Sequence, residues 1–230
     1  MTTLPRPHGF LIDAMGTLLE PAAPVAVTYA QTAAALGVTV SPEHIGAAFH
    51  AAYGAAPPMA FPDRSVKSLD QQEKEWWLAC VGDAFQRASQ PLEKTVLRKL
   101  TRQLFYHYAS PEAWVVPEDV PRCLQRWHGD GLKLAVVSNF DSRLDFLLEA
   151  LWLRHWFKAV LVSSRCGVAK PNPRLFHLAL ERLGLTPHEV WHLGDTAADL
   201  QGARAAGIRC ILVQRTPSSP PTMAPGMMEA

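Results

Sequence analysis

The stretch that decides the fold is residues 10–18, which read FLIDAMGTL. Three consecutive apolar residues, Phe10 to Ile12, end at the acidic residue Asp13, and Gly16 follows shortly after. A short, continuous apolar run of this kind is typical of a strand in a parallel sheet, because such a strand is buried on both faces. Ligands of open α/β sheets bind where these strands end. Asp13 is therefore a candidate functional residue.

Four further apolar runs have the same continuous character, and they occupy residues 134–137, 159–162, 190–193 and 210–213. Helical patterns lie between the later runs, and Gly184 and Gly207 follow two of them as helix-stop signals. Alternation of strands and helices with short links predicts an α/β fold with a doubly wound, mostly parallel, Rossmann-like sheet.

Residues 22–112 follow a different pattern, in which helical periodicity recurs without a strand signal. The predicted helices cover residues 25–36, 42–53, 68–88 and 91–108. We therefore predict a helical cap over 22–112, inserted into a core formed by 1–21 and 113–215. The proline-rich residues 216–230 are predicted to be a flexible tail.

Composition excludes several classes of function. The 230 residues are 48% hydrophobic and 19% charged, with a net charge of +1 and no basic or acidic block. Neither nucleic acid nor a membrane surface is therefore expected as a partner. No apolar run is long enough to span a bilayer, no secretory signal is evident, and the four cysteines form no C-x-x-C pair. We expect a cytoplasmic protein.

Polar residues follow four successive strand runs, at the point where each run ends. Asp13 and Thr17 follow the first run and Ser138-Asn139 the second, Lys170 lies in the loop after the third, and Asp195 and Asp199 follow the fourth. Each group alone is typical of a turn or a helix cap. Their occurrence in this order predicts a single site at one edge of the sheet.

This set resembles the four motifs of the haloacid dehalogenase superfamily, in the type whose helical cap lies between the first two motifs. The resemblance covers residues 9–214. The run 138–144, the pair Trp76-Trp77 and the block 194–207 are similar to one branch, which contains the rhythmically-expressed-gene-two proteins and haloacid-dehalogenase-like hydrolase domain-containing protein three. A hydrolase with a capped α/β core is implied.

The resemblance also implies a role for each residue. Asp13 would be the covalent nucleophile that forms an aspartyl-phosphate. Mg²⁺ would be held by Asp13, the backbone carbonyl of Met15 and Asp195, since this ion prefers hard oxygen ligands. Lys170 would offset the negative charge of carboxylates and phosphate, and Thr17 would orient Asp13 or the phosphate.

The remaining residues would support this chemistry. Ser138 and Asn139, with nearby amides, would bind the phosphate group, and Asp199 would orient a metal-bound water or hold Lys170. The implied substrate is a small phosphorylated metabolite.

Met15 departs from the pattern of the superfamily's phosphatases, which usually carry a second aspartate at this position. That aspartate protonates the leaving group, and a thioether cannot. We therefore expect weak hydrolysis of alkyl phosphates and better turnover of acyl or aryl phosphates, which need little protonation.

Two other functions stay open at this stage. The 2-haloacid dehalogenases of the superfamily also lack this aspartate, although their fourth motif resembles Ser-x-Asn instead of Gly194-Asp195. A non-catalytic or weakly active regulatory protein, with a protein partner, is the other alternative.

Two residues have simpler interpretations. His192 lies inside the run 190–193 and is predicted to be a core histidine with satisfied hydrogen bonds. Arg143 is expected to be either a surface residue of a first helical turn or an anion ligand.

Overall fold

Strand β1 (Gly9–Ile12) lies at the centre of a five-stranded parallel sheet in the computed structural model, which describes residues 6–63 and 65–215. Its other strands are β4 (Lys133–Ser138), β5 (Ala159–Val162), β6 (Val190–Gly194) and β7 (Arg209–Leu212). They lie in the order β5-β4-β1-β6-β7, and every adjacent pair is parallel. All five carboxyl ends therefore share one edge, and the predicted α/β fold is confirmed.

Four helices follow β1 in the chain. They are α1 (Val25–Ala34), α2 (Pro42–Ala55), α3 (Leu69–Arg87) and α4 (Lys94–His107). Tyr29, Phe85 and Leu100 belong to a buried cluster that these helices form among themselves. The four predicted helices are thus present, with no end shifted by more than three residues. Their assignment to a separate cap domain stays a prediction.

Capping residues explain where two of these helices begin. Ser41 accepts a hydrogen bond from His44 N at 3.2 Å, and Pro42 occupies the first turn of α2. Ser68 and Gln71 form a reciprocal capping box at the start of α3. Hydroxyl caps satisfy backbone N–H groups that have no partner within the helix.

A short antiparallel pair, β2 (Glu20–Pro21) and β3 (Trp114–Val115), joins the chain just before and just after the four helices. It was not predicted. Two residues per strand are too few for a periodic pattern to show in the sequence.

The remaining helices are α5 (Asp119–Gly129), α6 (Arg143–Ala150), α7 (Ser163–Cys166), α8 (Pro173–Leu183) and α9 (Ala197–Ala205). On one face of the sheet, Phe10 and Ile12 pack with α5 and α6, and on the other face Leu11 packs with α8 and α9. This two-sided burial is the reason why the strand runs are continuously apolar. Helix α5 was not predicted, and its buried residues are Val120 and Leu124.

In the two described ranges, no helix combines the length and the apolar character that crossing a membrane requires. The tail predicted for 216–230 lies outside the described residues.

Helices α8 and α9 are in close contact at Gly202. A β-carbon at this position would lie 2.5 Å from Phe176 Cε2 and 3.0 Å from the Pro171 carbonyl oxygen. We expect Gly202→Ala to lower the free energy of unfolding, measured in urea, by ~1–3 kcal/mol because the helices must separate. Gly129→Ala is the matched control, since no atom lies within 4 Å of its β-carbon position. An equal loss in both variants would contradict this interpretation.

Candidate active site

The carboxylate of Asp13 and the ammonium of Lys170 meet at the carboxyl end of β1. Asp13 directly follows β1, and Lys170 lies in the loop between α7 and α8. Lys170 Nζ lies 2.8 Å from Asp13 Oδ1 and 2.6 Å from Asp199 Oδ1, and the lysine side chain is only 2% exposed. Burial alone would lower the pKa of Lys170, but the charges of the two carboxylates outweigh it and raise the pKa. The ammonium is therefore charged and shared between two acids.

A third carboxylate, that of Asp195, lies beside this pair. One carboxylate oxygen from each of Asp13, Asp195 and Asp199 lies within 4.8 Å of the others. Partial burial of its carboxyl group and the charges of Asp13 and Asp199 raise the pKa of Asp195 to about 6. Within residues 6–63 and 65–215, Asp195 forms no ion pair. The cluster thus has a surplus of negative charge next to Asp13.

The residues present fit a divalent cation at this position. Asp13 Oδ1 is buried and lies 2.8 Å from Lys170 Nζ, and it has no other hydrogen-bond donor among the described residues. Gly16 has φ +77°, and a β-carbon there would lie 2.2 Å from Asp195 Oδ2. The backbone at Gly16, which follows Met15, is therefore close to the Asp195 carboxylate. Carboxylate and carbonyl oxygens are ligands that Mg²⁺ prefers.

Asp199 differs from Asp195 because both of its oxygens already have donors. Oδ1 contacts Lys170 Nζ and lies 2.8 Å from His192 Nε2, while Oδ2 accepts from Thr196 N at 3.1 Å and from Thr196 Oγ1 at 2.5 Å. Burial would raise the pKa of Asp199, but the hydrogen bond from His192 and the charge of Lys170 lower it well below its usual range. Of its two predicted roles, these contacts correspond to holding Lys170 and leave no oxygen for a cation.

Asn139 has a contact that the sequence did not indicate. Its side-chain Nδ2 donates to the Lys170 carbonyl oxygen at 2.9 Å, and its Oδ1 accepts from Lys170 N at 2.8 Å. The amide oxygen and one N–H of the amide are therefore committed to the backbone of the lysine loop. The second N–H of the amide and the backbone of Asn139 remain for the phosphate that the residue is predicted to bind.

The two hydroxyl residues of the predicted site lie at strand ends. Ser138 is the last residue of β4 and is buried, and Thr17 lies in the turn after Asp13. The Thr17 hydroxyl is buried without a hydrogen-bond partner among the described residues. A buried hydroxyl in this state can donate to a ligand at the same site.

Helix α3 is hydrogen-bonded to the loop that follows β4. Glu73, only 1% exposed, accepts hydrogen bonds from Ser142 N at 2.9 Å and Ser142 Oγ at 2.6 Å. Trp77 Nε1 donates to Asp141 Oδ2 at 2.7 Å. Trp77 of the Trp76-Trp77 pair therefore bonds to a loop at the edge of the sheet where Asp13 lies.

Arg143 is neither a solvated residue nor a free anion ligand. It forms an ion pair with Asp141 at 2.5 Å and lies 4.0 Å from the centre of the Phe105 ring. Its side chain is 10% exposed, so the expectation of a surface residue was wrong, and the anion that it binds in the structure is the Asp141 carboxylate. Its charge balances the fully buried Asp141 carboxylate next to the site.

Residues 7–207 match the family of haloacid dehalogenase-like hydrolases. The chain belongs to this family. Within it, the chain is 38% identical over 202 residues to "Haloacid dehalogenase-like hydrolase domain-containing protein 3" of Bos taurus, and the alignment covers 87% of this chain and 79% of that protein. The superfamily and the branch that the motifs indicated are thereby confirmed.

Two further proteins to which this chain is similar have names that refer to different reactions. The "Phosphoserine phosphatase" of Thermus thermophilus is 42% identical over 88 residues, which are 37% of this chain and 35% of that protein. The solved structure of the L-2-haloacid dehalogenase from Xanthobacter autotrophicus has a TM-score of 0.64 and 21% identity, covering 92% of this chain and 79% of that one. At this identity the structural likeness shows the shared fold alone.

The close approach of Gly16 to Asp195 generates a prediction. Gly16→Ala places a methyl group where Asp195 Oδ2 now lies, so we expect Mg²⁺ affinity, measured calorimetrically, to fall about 10-fold or more. Gly37→Ala is the matched control, because Gly37 has a similar φ of +79° but no atom within 4 Å of its β-carbon position. Both variants should lose about 1 kcal/mol of stability from the left-handed backbone. Equal Mg²⁺ affinities in the two variants would contradict the inference that the close approach of Gly16 to Asp195 shapes the Mg²⁺ site.

Proposed function

We propose that this hydrolase is a Mg²⁺-dependent phosphatase that acts on small phosphorylated metabolites through an aspartyl-phosphate on Asp13. The observation that carries the proposal is the Asp195 carboxylate, which lies beside Asp13 without a cationic partner in the described residues. A phosphoryl group brings further negative charge to this place. A divalent cation between the carboxylates and the phosphoryl oxygens would compensate for both.

In the first step, an oxygen of Asp13 attacks phosphorus while the bond from phosphorus to the leaving oxygen breaks. The leaving group departs with the electron pair, and water later cleaves the aspartyl-phosphate to release inorganic phosphate. Lys170, 2.8 Å from Asp13, offsets part of the negative charge of the carboxylates and the phosphoryl group. Asp13, the Met15 carbonyl and Asp195 would hold Mg²⁺, which supplies electrostatic stabilisation of the phosphoryl oxygens when bound.

Met15 limits the leaving groups that this site can expel. The residue is 48% exposed, and its sulfur cannot donate a proton. A leaving alkoxide would therefore depart without general-acid assistance, which is worth about 10²–10⁴-fold in rate. Acyl and aryl phosphates avoid this cost because their leaving groups are stable anions.

Met15 also favours a second candidate, dehalogenation, because a halide leaves without a proton. The same Asp13 would then attack a carbon atom and form an ester. That reaction brings no phosphoryl charge to the site and leaves the surplus carboxylate of Asp195 without a use. A non-catalytic protein with a protein partner is the remaining alternative.

We expect Met15→Asp to raise kcat/KM for an alkyl phosphate such as glycerol phosphate by about 10-fold or more, because it restores a proton donor. The same variant should change kcat/KM for acetyl phosphate little, since kcat/KM reports the step in which the leaving group departs. Asp13→Asn should abolish turnover of both compounds. Asp130→Asn, the same change at an exposed aspartate, is the control.

The assays are run with Mg²⁺ and with EDTA, beside a chloride-release assay on 2-chloropropionate. Phosphate release that survives EDTA or Asp13→Asn would refute the proposal. Chloride release that depends on Asp13 would favour the dehalogenase. If wild type and Met15→Asp both lack activity towards all three compounds, a non-catalytic role is favoured.

A further inference from the structure

His192 is completely buried, yet both of its ring nitrogens face an oxygen atom. In the middle of β6, its Nδ1 lies 3.0 Å from the Leu11 carbonyl oxygen and its Nε2 lies 2.8 Å from Asp199 Oδ1. The ring of Phe176 lies edge-on against it with centroids 4.9 Å apart. The histidine is therefore held on one side by the central strand and on the other by the acid that binds Lys170.

The two contacts of the His192 ring need one more hydrogen than a neutral histidine carries. A carbonyl oxygen only accepts, so Nδ1 of His192 must carry a hydrogen. An ionised carboxylate also only accepts, so Nε2 must carry one as well, whereas neutral imidazole has a single N–H. The pair of His192 and Asp199 therefore holds an additional proton and has no net charge.

The other contacts of Asp199 place that proton on the ring. Lys170 Nζ donates to one oxygen, and the backbone N–H and hydroxyl of Thr196 donate to the other. Donors on both oxygens stabilise the ionised carboxylate. His192 is then the cation in a buried chain of alternating charge that runs from Asp13 through Lys170 and Asp199 to the ring.

We propose that His192 is a positioning residue whose positive charge neutralises Asp199 and so leaves the charge of Lys170 for Asp13 and the phosphoryl group. This inference rests on the proposed function. Without the imidazolium, one ammonium would face two buried carboxylates and its field at Asp13 would be divided between them. The loss of one partner from a buried charge network is costly, because it leaves an uncompensated charge.

The first test measures the proton directly and does not depend on any activity. In the full-length protein labelled with ¹⁵N-histidine, NMR at neutral pH should show both ring nitrogens of His192 carrying a hydrogen, with assignment from the spectrum of His192→Phe. A ring with Nε2 unprotonated would overturn the proposal. This outcome is independent of whether the protein is a phosphatase, so failure of the two proposals can be told apart.

The second test separates charge from packing. His192→Phe keeps a planar ring without either donor, and we expect kcat for acetyl phosphate to fall about 10- to 100-fold with little change in KM. His192→Gln supplies a neutral donor to Asp199 and should recover only part of that loss. Val190→Ala is the control, since Val190 is fully buried on the same face of β6 and belongs to the hydrophobic cluster on that side of the sheet. It should lower stability in urea but leave kcat unchanged.

A wild-type kcat in both His192 variants would overturn the positioning role. The role would also be overturned if Val190→Ala lowered kcat as much as His192→Phe does. Asp13→Asn is measured beside them. Phosphatase activity that survives this substitution refutes the proposed function itself and leaves the NMR result to decide the protonation of His192.

Discussion

The buried ammonium of Lys170 is the constraint on which the arrangement of side chains at the carboxyl end of β1 depends. An ammonium that is 2% exposed is tolerable only when carboxylates surround it, and Asp13 and Asp199 lie at 2.8 and 2.6 Å. These two acids come from chain segments almost two hundred residues apart. The ion pairs can form only if β1 and β6 are adjacent and their following loops meet, so the sheet order and the charge network require each other.

The parallel sheet supplies that adjacency. Because β4 and β6 both pair with β1 in parallel register, the residues that follow each strand emerge at the same edge. The loop that follows β5 then brings Lys170 to the same edge, where Asn139 pairs with both backbone polar groups of the lysine residue. The position of the charge is thus determined by backbone hydrogen bonds as well as by its counter-ions.

The sequence predicted the strands that are buried on both faces of the sheet. It did not predict the hydrogen-bond partners that tertiary packing brings to a polar side chain. Continuous apolar runs predicted all five strands of the sheet, and the polar residues after them predicted the cluster around Asp13. The antiparallel pair at Glu20 and Trp114 escaped because it is too short for periodicity. The contacts of Asn139 and His192 escaped for another reason: a polar residue inside or just after an apolar strand does not reveal which polar group of another segment it faces. His192 was correctly expected to be satisfied, but its partner proved to be the acid that holds Lys170.

Met15 leaves the site without a proton donor at position 15, although the charge network around Lys170 is otherwise complete. In the proposed mechanism, the groups that would stabilise a bound phosphoryl group are main-chain atoms, hydroxyls, carboxylates and one ammonium. None of them belongs to the side chain at position 15. Proton transfer to the leaving group would use that side chain. A site that lacks the proton donor but keeps the groups that bind the phosphoryl group can still bind it. Such a site gives no help to the departure of the leaving group. Under the proposed function, such a site would discriminate by the stability of the leaving group, so its substrates would be phosphates that are already chemically activated.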